Sequence, residues 1–285
     1  MMNEFEMSDL GLMHFFLGIE VKQSSILDRF KMKDCNAIFT PVECGLKLRR
    51  NDEGKKINAT LYKQMVGSLM YLTSTRPDIM HGVSLISRYI ENPTESHLLA
   101  AKRILRYLRG TVDFGIFYKR GVKENLFGFC DSNYAGDVDD QKSTSGFVFI
   151  MSSGAISWSS KKQQIVTLST TEAEFISAAT CSCQVIWLRR LLEMLQCQQQ
   201  GPTKVFCDNV SAIKILKNPV LHGRSKHIDI RYHFLRDLCN DGTVDLLFCR
   251  SEDQVADIMT KPLKQAAFVK LRGLLGVCSV DQTFT

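Results

Sequence analysis

The sequence predicts an α/β fold, a mixed sheet with a parallel half and packed helices, preceded by a mainly helical region. Three observations predict it. Between residues 61 and 109 apolar residues recur every three and four positions, the period of a helix. From 115 to about 160, four short apolar segments follow one another across polar turns, as antiparallel strands do. Beyond 169, helical and strand-like segments alternate, which favours parallel pairing.

The totals narrow the function classes. With 285 residues, 45% of them hydrophobic and 23% charged, the chain has the make-up of a soluble globular protein of one or two domains. No apolar run is long enough to span a bilayer, and the acidic start MMNEFEMSDLG lacks the basic flank and apolar core of a signal peptide. The expectation is an intracellular protein, cytoplasmic or nuclear, not secreted and with no membrane partner. Ten cysteines occur without a CxxC pair or zinc spacing, so they are expected as reduced, mostly buried thiols. A net charge of +6 suits a polyanion partner without requiring one.

In chain order, SDLGLMHFFLGIEV (8–21) reads as a strand or two, and KDCNAIFTPVE (33–43) as an extended segment before proline. A polar linker, NDEGKKINAT, leads to a helix carrying Tyr62, Met65, Val66, Leu69, Met70 and Leu72. Arg76-Pro77-Asp78 breaks it, with Pro77 suited to the first turn of the next helix. A third helix, ESHLLAAKRILRYLRG, puts Leu98, Ala101, Leu105 and Leu108 on one side and Lys102, Arg106 and Arg109 on the other. That basic stripe is either a solvated face or a track for nucleic acid phosphates. Gly110 ends the helix. GIFYKR, NLFGFCD, SGFVFIM and GAISWSS then read as an antiparallel meander. A long helix runs from about Ser169 to Leu195, with Ser169, Thr170 and Thr171 as candidate N-caps. There follow a strand TKVFCDN, a helix AIKILK, a basic loop HGRSKH, a helix DIRYHFLRDLC, a strand TVDLLFC and a short helix DQVADIMTK.

Four acids fall at suitable ends of these elements. Asp131 and Asp208 each close an apolar strand and precede a polar residue, CDS and CDN. On parallel neighbours both would sit at the carboxyl edge, where open sheets place their sites. Asp257 lies in the first turn of the last helix. The long helix offers Glu172 and Glu174, which point about 200° apart. Glu174 continues the apolar stripe Ala178, Cys181, Val185, Leu188 and Leu192, so Glu174 is expected to face the sheet and Glu172 to complement the helix start. Carboxylates gathered this way repel unless cations sit among them. Oxygen-only ligands select Mg2+ or Mn2+, and two such ions about 3.5–4 Å apart would clamp the attacking and leaving oxygens of a phosphodiester.

With these residues in place, the sequence resembles the carboxyl-terminal part of the Pol polyprotein of copia-type LTR retrotransposons. The matching stretches are DLGLMHFFLGIEV, LYKQMVGSLMYLTSTRPDI, AAKRILRYLRGT, CDSNYAGDVDDQKSTSGFVF, GAISWSSKKQQIVTLSTTEAEF, CDNVSAIKILKNPVLHGRSKHIDIRYHF and QVADIMTKPL. The resemblance implies a residual palm segment of a reverse transcriptase over 1–50 and a helical thumb or connection region over 51–114. It further implies a ribonuclease H-like five-stranded mixed sheet with helices over 115–265, and a C-terminal tail over 266–285. The family's catalytic, metal-binding acids fall on Asp131, Glu174, Asp208 and Asp257, with two Mg2+ or Mn2+ ions as cofactors. The implied reaction is endonucleolytic hydrolysis of the RNA strand of an RNA/DNA hybrid, leaving 3'-hydroxyl and 5'-phosphate ends. The implied partners are that hybrid and the rest of a polyprotein.

The chain departs from the family in three places. The Tyr-x-Asp-Asp polymerase hairpin would lie before Met1, so DNA synthesis by this chain alone is not expected; Val138-Asp139-Asp140 belongs to a turn between strands. VKQSSILDRF (21–30) is shorter than its counterpart. The mobile histidine common before the last acid is missing, leaving His227 as the nearest candidate for a substrate contact. Lys161, Lys162, Arg224 and Lys226, together with Lys102, Arg106 and Arg109, are candidate phosphate contacts by charge. The reading that follows is a metal-dependent hybrid ribonuclease attached to a truncated polymerase. The alternative is a non-catalytic remnant, whose helices, deprived of the palm, would expose apolar residues.

Overall fold

In the computed structural model, residues 15–16, 19–20, 23–50, 54–119, 125–217 and 226–279 are described; for 15–16, 19–20, 217 and 226–230 this covers the backbone alone. The elements run β1 (Phe15–Phe16), β2 (Ile19–Glu20), α1 (Gln23–Arg29), α2 (Ala59–Leu72), α3 (Met80–Ser87), α4 (Glu95–Arg109) and β3 (Phe114–Ile116). They continue β4 (Leu126–Asn133), β5 (Thr144–Met151), β6 (Gly154–Lys162), α5 (Thr170–Met194), β7 (Thr203–Cys207), α6 (Val210–Lys217), α7 (Lys226–Asn240), β8 (Val244–Phe248), α8 (Gln265–Leu274) and β9 (Val277–Ser279). No described helix is long and apolar enough to cross a membrane.

The central sheet has five strands in the order β6-β5-β4-β7-β8, with the β4–β5 and β5–β6 pairs antiparallel and the β4–β7 and β7–β8 pairs parallel. This is the ribonuclease H-like mixed sheet that the resemblance implied, in an α/β fold preceded by helices. Side chains alternate across it, as strand geometry demands. Leu126, Cys130 and Phe149 pack with Phe175, Cys181 and Val185 of α5 and Leu235 of α7. Phe127, Phe129, Val148 and Ile150 face the other way, into a cluster that holds Val255, Ile258 and Met259 of the segment beside β4 and β5 together with Tyr62, Leu69, Val83, Ile104 and Leu108 of the helices between 59 and 109. Burial on both faces is why GFVFI reads as an unbroken apolar run.

The helices of 59–109 are therefore covered. Tyr62, Val66, Leu69, Leu72, Leu105 and Leu108 have no exposed surface, in contrast to the exposure expected for helices without the palm. Trp158 Nε1 donates to Thr73 O at 2.9 Å, tying β6 to the end of α2. Arg76 and Asp78 form a fully buried bidentate pair, Nε–Oδ1 2.9 Å and Nη2–Oδ2 2.7 Å. The same guanidinium donates to Gln23 Oε1 and to Thr111 O and Oγ1, and Tyr107 OH donates to Asp78 Oδ2. One polar knot thus joins α1, the turn at Pro77 and the end of α4.

Four expectations change. GIFYKR is not part of the meander: β3 covers only Phe114–Ile116 and pairs antiparallel with β9, in a sheet of its own. Nor is the stretch from 266 a tail, because α8 inserts Phe268 and Leu271 into the core and β9 follows through Ser279. Gly276 makes that return possible, with φ +77 and a position for Cβ only 2.9 Å from Gly154 Cα. The last short helix is a pair of 3₁₀ turns, Ser251–Asp253 and Val255–Met259. No disulfide joins the ten cysteines, as expected of reduced thiols, but only Cys130, Cys181 and Cys207 are buried, fewer than expected.

Candidate active site

The sheet register explains how the first two acids meet. Phe129 is opposite Phe206 on parallel strands, so two residues further on Asp131 comes beside Asp208. Asp131 lies two residues inside the end of β4, opposite Gly146 of β5, while Asp208 follows directly on β7. Ser169 Oγ accepts from Glu172 N at 3.1 Å and starts α5. Glu172 turns back to accept from Leu168 N at 2.7 Å, so it caps the helix. Glu174 faces the sheet, 5% exposed, and Ala178, Cys181, Val185, Leu188 and Leu192 follow it into the core. The 3₁₀ turn Val255–Met259 brings Asp257 to the same place from the other side.

The four acids converge. Carboxylate oxygens of Asp131, Asp208 and Asp257 lie within 4.8 Å of one another, and Glu174, Cys207 and Asp208 form a second such group. Asp131 is 2% exposed and Asp257 7%. Glu174 Oε1 accepts from Ser132 N at 2.9 Å and Ser132 Oγ at 3.0 Å. Ser251 Oγ donates to Asp208 Oδ2 at 3.0 Å, and Thr260 Oγ1 donates to Asp131 Oδ2. Lys261 Nζ stands 2.9 Å from Asp257 Oδ1 and 3.8 Å from Asp131 Oδ2. Backbone around the acids is held too: Ser177 Oγ donates to Asp131 O at 2.7 Å and Gln254 Nε2 to Cys130 O at 3.0 Å.

Burial and mutual repulsion set the electrostatics. Burial pushes Asp131 up, against the pull of Lys261 and Thr260. Burial and the neighbouring Asp131 push Glu174 up to about 10. The same two causes, opposed by Lys261, push Asp257 up to about 7. Burial works against the charge of Lys261, but Asp131 and Asp257 outweigh it and hold the ammonium protonated. The hydrogen bond to Cys130, with burial, pushes the Cys207 thiol far up, so it offers a neutral sulfur. A cluster that resists losing its protons is one short of positive charge. The group of Asp131, Asp208 and Asp257 is all oxygen and suits a hard divalent ion; the group with Glu174 shares Asp208 and includes the protonated Cys207 thiol.

The basic candidates divide differently. Lys162 is engaged by Asp137 and Asp140, both at 2.9 Å, which anchors the polar turn after β4. Arg88 joins it on Asp137 at 3.1 Å, and Asp139 accepts from Arg50 N. Val138-Asp139-Asp140 is therefore turn structure. Arg106 and Arg109 donate through Nε to the carbonyls of Asn36 and Lys33, so they staple the 33–36 segment to α4. Lys161 and Lys102 are exposed. Arg224 lies outside the described residues, as do the side chains of Lys226 and His227 at the start of α7. Sequence reasoning missed Ser132, Thr260, Lys261 and Gly146. The i,i+4 spacing of Asp257 and Lys261 was the one local signal for any of them.

No family model matches the sequence. The chain is 40% identical over 289 residues to the retrovirus-related Pol polyprotein from transposon RE1 of Arabidopsis thaliana, covering 97% of this chain and 20% of that protein. It is 38% identical over 297 residues to the corresponding polyprotein from transposon TNT 1-94 of Nicotiana tabacum, covering 96% and 22%. The chain thus spans about a fifth of the length of these relatives. Among solved structures, RNase H1 from the halophilic archaeon Halobacterium salinarum superposes with a TM-score of 0.36 at 11% identity, over 48% of this chain and 94% of that one.

Proposed function

Because the chain belongs to the family of retrovirus-related Pol polyproteins of copia-type transposons, we propose that it is the metal-dependent ribonuclease H segment of one. In this reading it is an endonuclease that cuts the RNA strand of an RNA/DNA hybrid. Residues 115–265 carry the chemistry, and the preceding helices, together with the stretch from 266 to 279, support the sheet from behind. The observation that carries the reading is the meeting of Asp131, Glu174, Asp208 and Asp257 at the carboxyl edge of the parallel half of the sheet.

Asp131, Asp208 and Asp257 would hold a Mg2+ or Mn2+ ion through oxygen alone, and Glu174 with Asp208 would offer a second position. When bound, such ions supply an activated water and neutralise charge developing on the phosphate. The chain's own groups do the positioning. Ser132 orients Glu174 through its amide and hydroxyl, and Thr260 orients Asp131. The hybrid would be read through backbone shape and 2'-hydroxyls. Lys161 and Lys102 are exposed cations available to phosphates, with Arg224, Lys226 and His227 as further candidates.

The test is cleavage of a labelled hybrid in Mg2+. Wild type cuts the RNA strand, EDTA stops it, and Asp131→Asn abolishes it while melting no lower than wild type, since burial already disfavours the charge on Asp131. Robust cleavage by Asp131→Asn, or none by well-folded wild type, would overturn the reading. In the second case, binding that falls steeply with salt would favour a non-catalytic nucleic-acid-binding remnant.

A further inference from the structure

The acid cluster contains a cation of the chain's own. Lys261 Nζ forms ion pairs with Asp257 at 2.9 Å and Asp131 at 3.8 Å, two of the three acids in the all-oxygen group. Its backbone is fixed: Lys261 N donates to Asp257 O at 3.1 Å, Pro262 follows, and the preceding Thr260 is bonded to Asp131. Its side chain is 36% exposed, whereas those of its two partners are 3% and 10% exposed. The ammonium can therefore leave for solvent by rotating a flexible stem, without any movement of the acids or the main chain.

An ammonium and a divalent ion make the same demand on these oxygens. Both need lone pairs of Asp131 and Asp257, and as like charges a few ångströms apart they repel in a site this dry. We propose that Lys261 is a tethered competitor for one divalent ion. It holds Asp131 and Asp257 together while the site lacks an ion, and swings out when an ion takes Asp131, Asp208 and Asp257. Lys261 is thus a positioning residue, and the inference rests on the metal-dependent reading above. Its ion pairs are with Asp131 and Asp257, so the position at Glu174 and Asp208 is spared and the two ions bind unequally.

The experiment titrates Mn2+ alone into the whole chain, without nucleic acid, by calorimetry, using wild type, Lys261→Met, Lys261→Gln and Lys261→Arg. Removing the competitor tightens one Mn2+ about tenfold or more, while Lys261→Arg, which keeps the charge, stays near wild type. Melting adds a second readout. In EDTA, Lys261→Met and Lys261→Gln melt below wild type, and saturating Mn2+ closes the gap. A lysine with only a structural role would lower the melting temperature equally with and without Mn2+, at unchanged affinity, and that result overturns the proposal while leaving metal dependence standing. Wild type that takes up no Mn2+ overturns both. Should Lys261→Met fail to fold, Lys261→Gln gives the same comparison.

Discussion

Gly146→Ala is a one-methyl change that the structure predicts to be costly to catalysis. Gly146 lies on β5 directly opposite Asp131, and a Cβ there would meet Met259 Cβ at 2.6 Å and Thr260 Cγ2 at 2.6 Å. Carbon atoms rest about 3.5–4.0 Å apart, so the 3₁₀ turn Val255–Met259 and Thr260 must retreat by roughly 1 Å. Neither obstacle is the free end of a flexible side chain. Overpacking of this kind costs about 1–3 kcal/mol, and losing the hydrogen bond from Thr260 to Asp131 adds about 1 kcal/mol. Because Asp257 and Lys261 ride on the same segment, the carboxylate group opens by a similar distance. A misplacement of about 1 Å can cost on the order of a hundredfold in rate. The assay is hybrid cleavage at saturating Mg2+ beside urea unfolding. Cleavage falls about a hundredfold while stability falls by a few kcal/mol at most. Full activity at unchanged stability would refute the claim that this glycine sets the approach of the last acid.

Other perturbations test the support behind the site. Arg76→Met leaves Asp78 buried without its guanidinium, at a cost of about 3–5 kcal/mol in urea unfolding; a loss under about 1 kcal/mol would mean the pair is dispensable. Truncation after Leu263 removes Phe268, Leu271, Leu275 and Val277 from the core. At about 1.5–3 kcal/mol each, this loss rivals the whole stability of a typical domain, so the truncated chain shows no cooperative melt; a sharp transition would mark the segment as an appendage. Asp137 gives a pH signature. Burial raises its pKa, but Lys162, the Asp139 amide and Arg88 outweigh this and bring it down to about 2. A carboxyl depressed below its unfolded value of about 3.9 stabilises the fold above that pH, and the contribution is lost as pH falls through about 2. Wild type therefore exceeds Asp137→Asn in stability by a constant amount above pH 5, about 3 kcal/mol for a buried charge cluster, and the gap closes on acidification. A gap that persists at pH 2 would point to packing instead.

What was legible in the sequence depended on how local its cause was. Asp131 and Asp208 could be read because an apolar strand ending in an acid is a pattern of a few residues. Glu174 could be separated from Glu172 because helix geometry sorts neighbours by direction, and the stripe behind Glu174 is the stripe that is buried. Charge was legible in sign but not in partner. Lys162, Arg106 and Arg109 looked available to phosphates, yet Lys162 neutralises acids of its own turn and the two arginines donate to the carbonyls of Asn36 and Lys33. Strand pairing at a distance left no trace either. Nothing within GIFYKR says that its partner is Val277–Ser279, more than 150 residues on.

The segment from Asp257 to Lys261 shows why the remainder of the site was illegible and why it matters. One side of this stretch delivers Asp257, Thr260 and Lys261 to the acids of the sheet. The other side buries Ile258 and Met259 in the core shared with α2, α4 and α8. Its position is thus fixed by residues far away in sequence: Gly146 in front, and the helices of 59–109 and 265–274 behind. A change in those helices that shifts Ile258 or Met259 reaches the carboxylates at once, because Asp257 and Thr260 are their immediate neighbours in the chain. The helical part of the chain then acts on the site by holding its last acid in register, which is a role that neither its charge stripe nor its apolar period could announce.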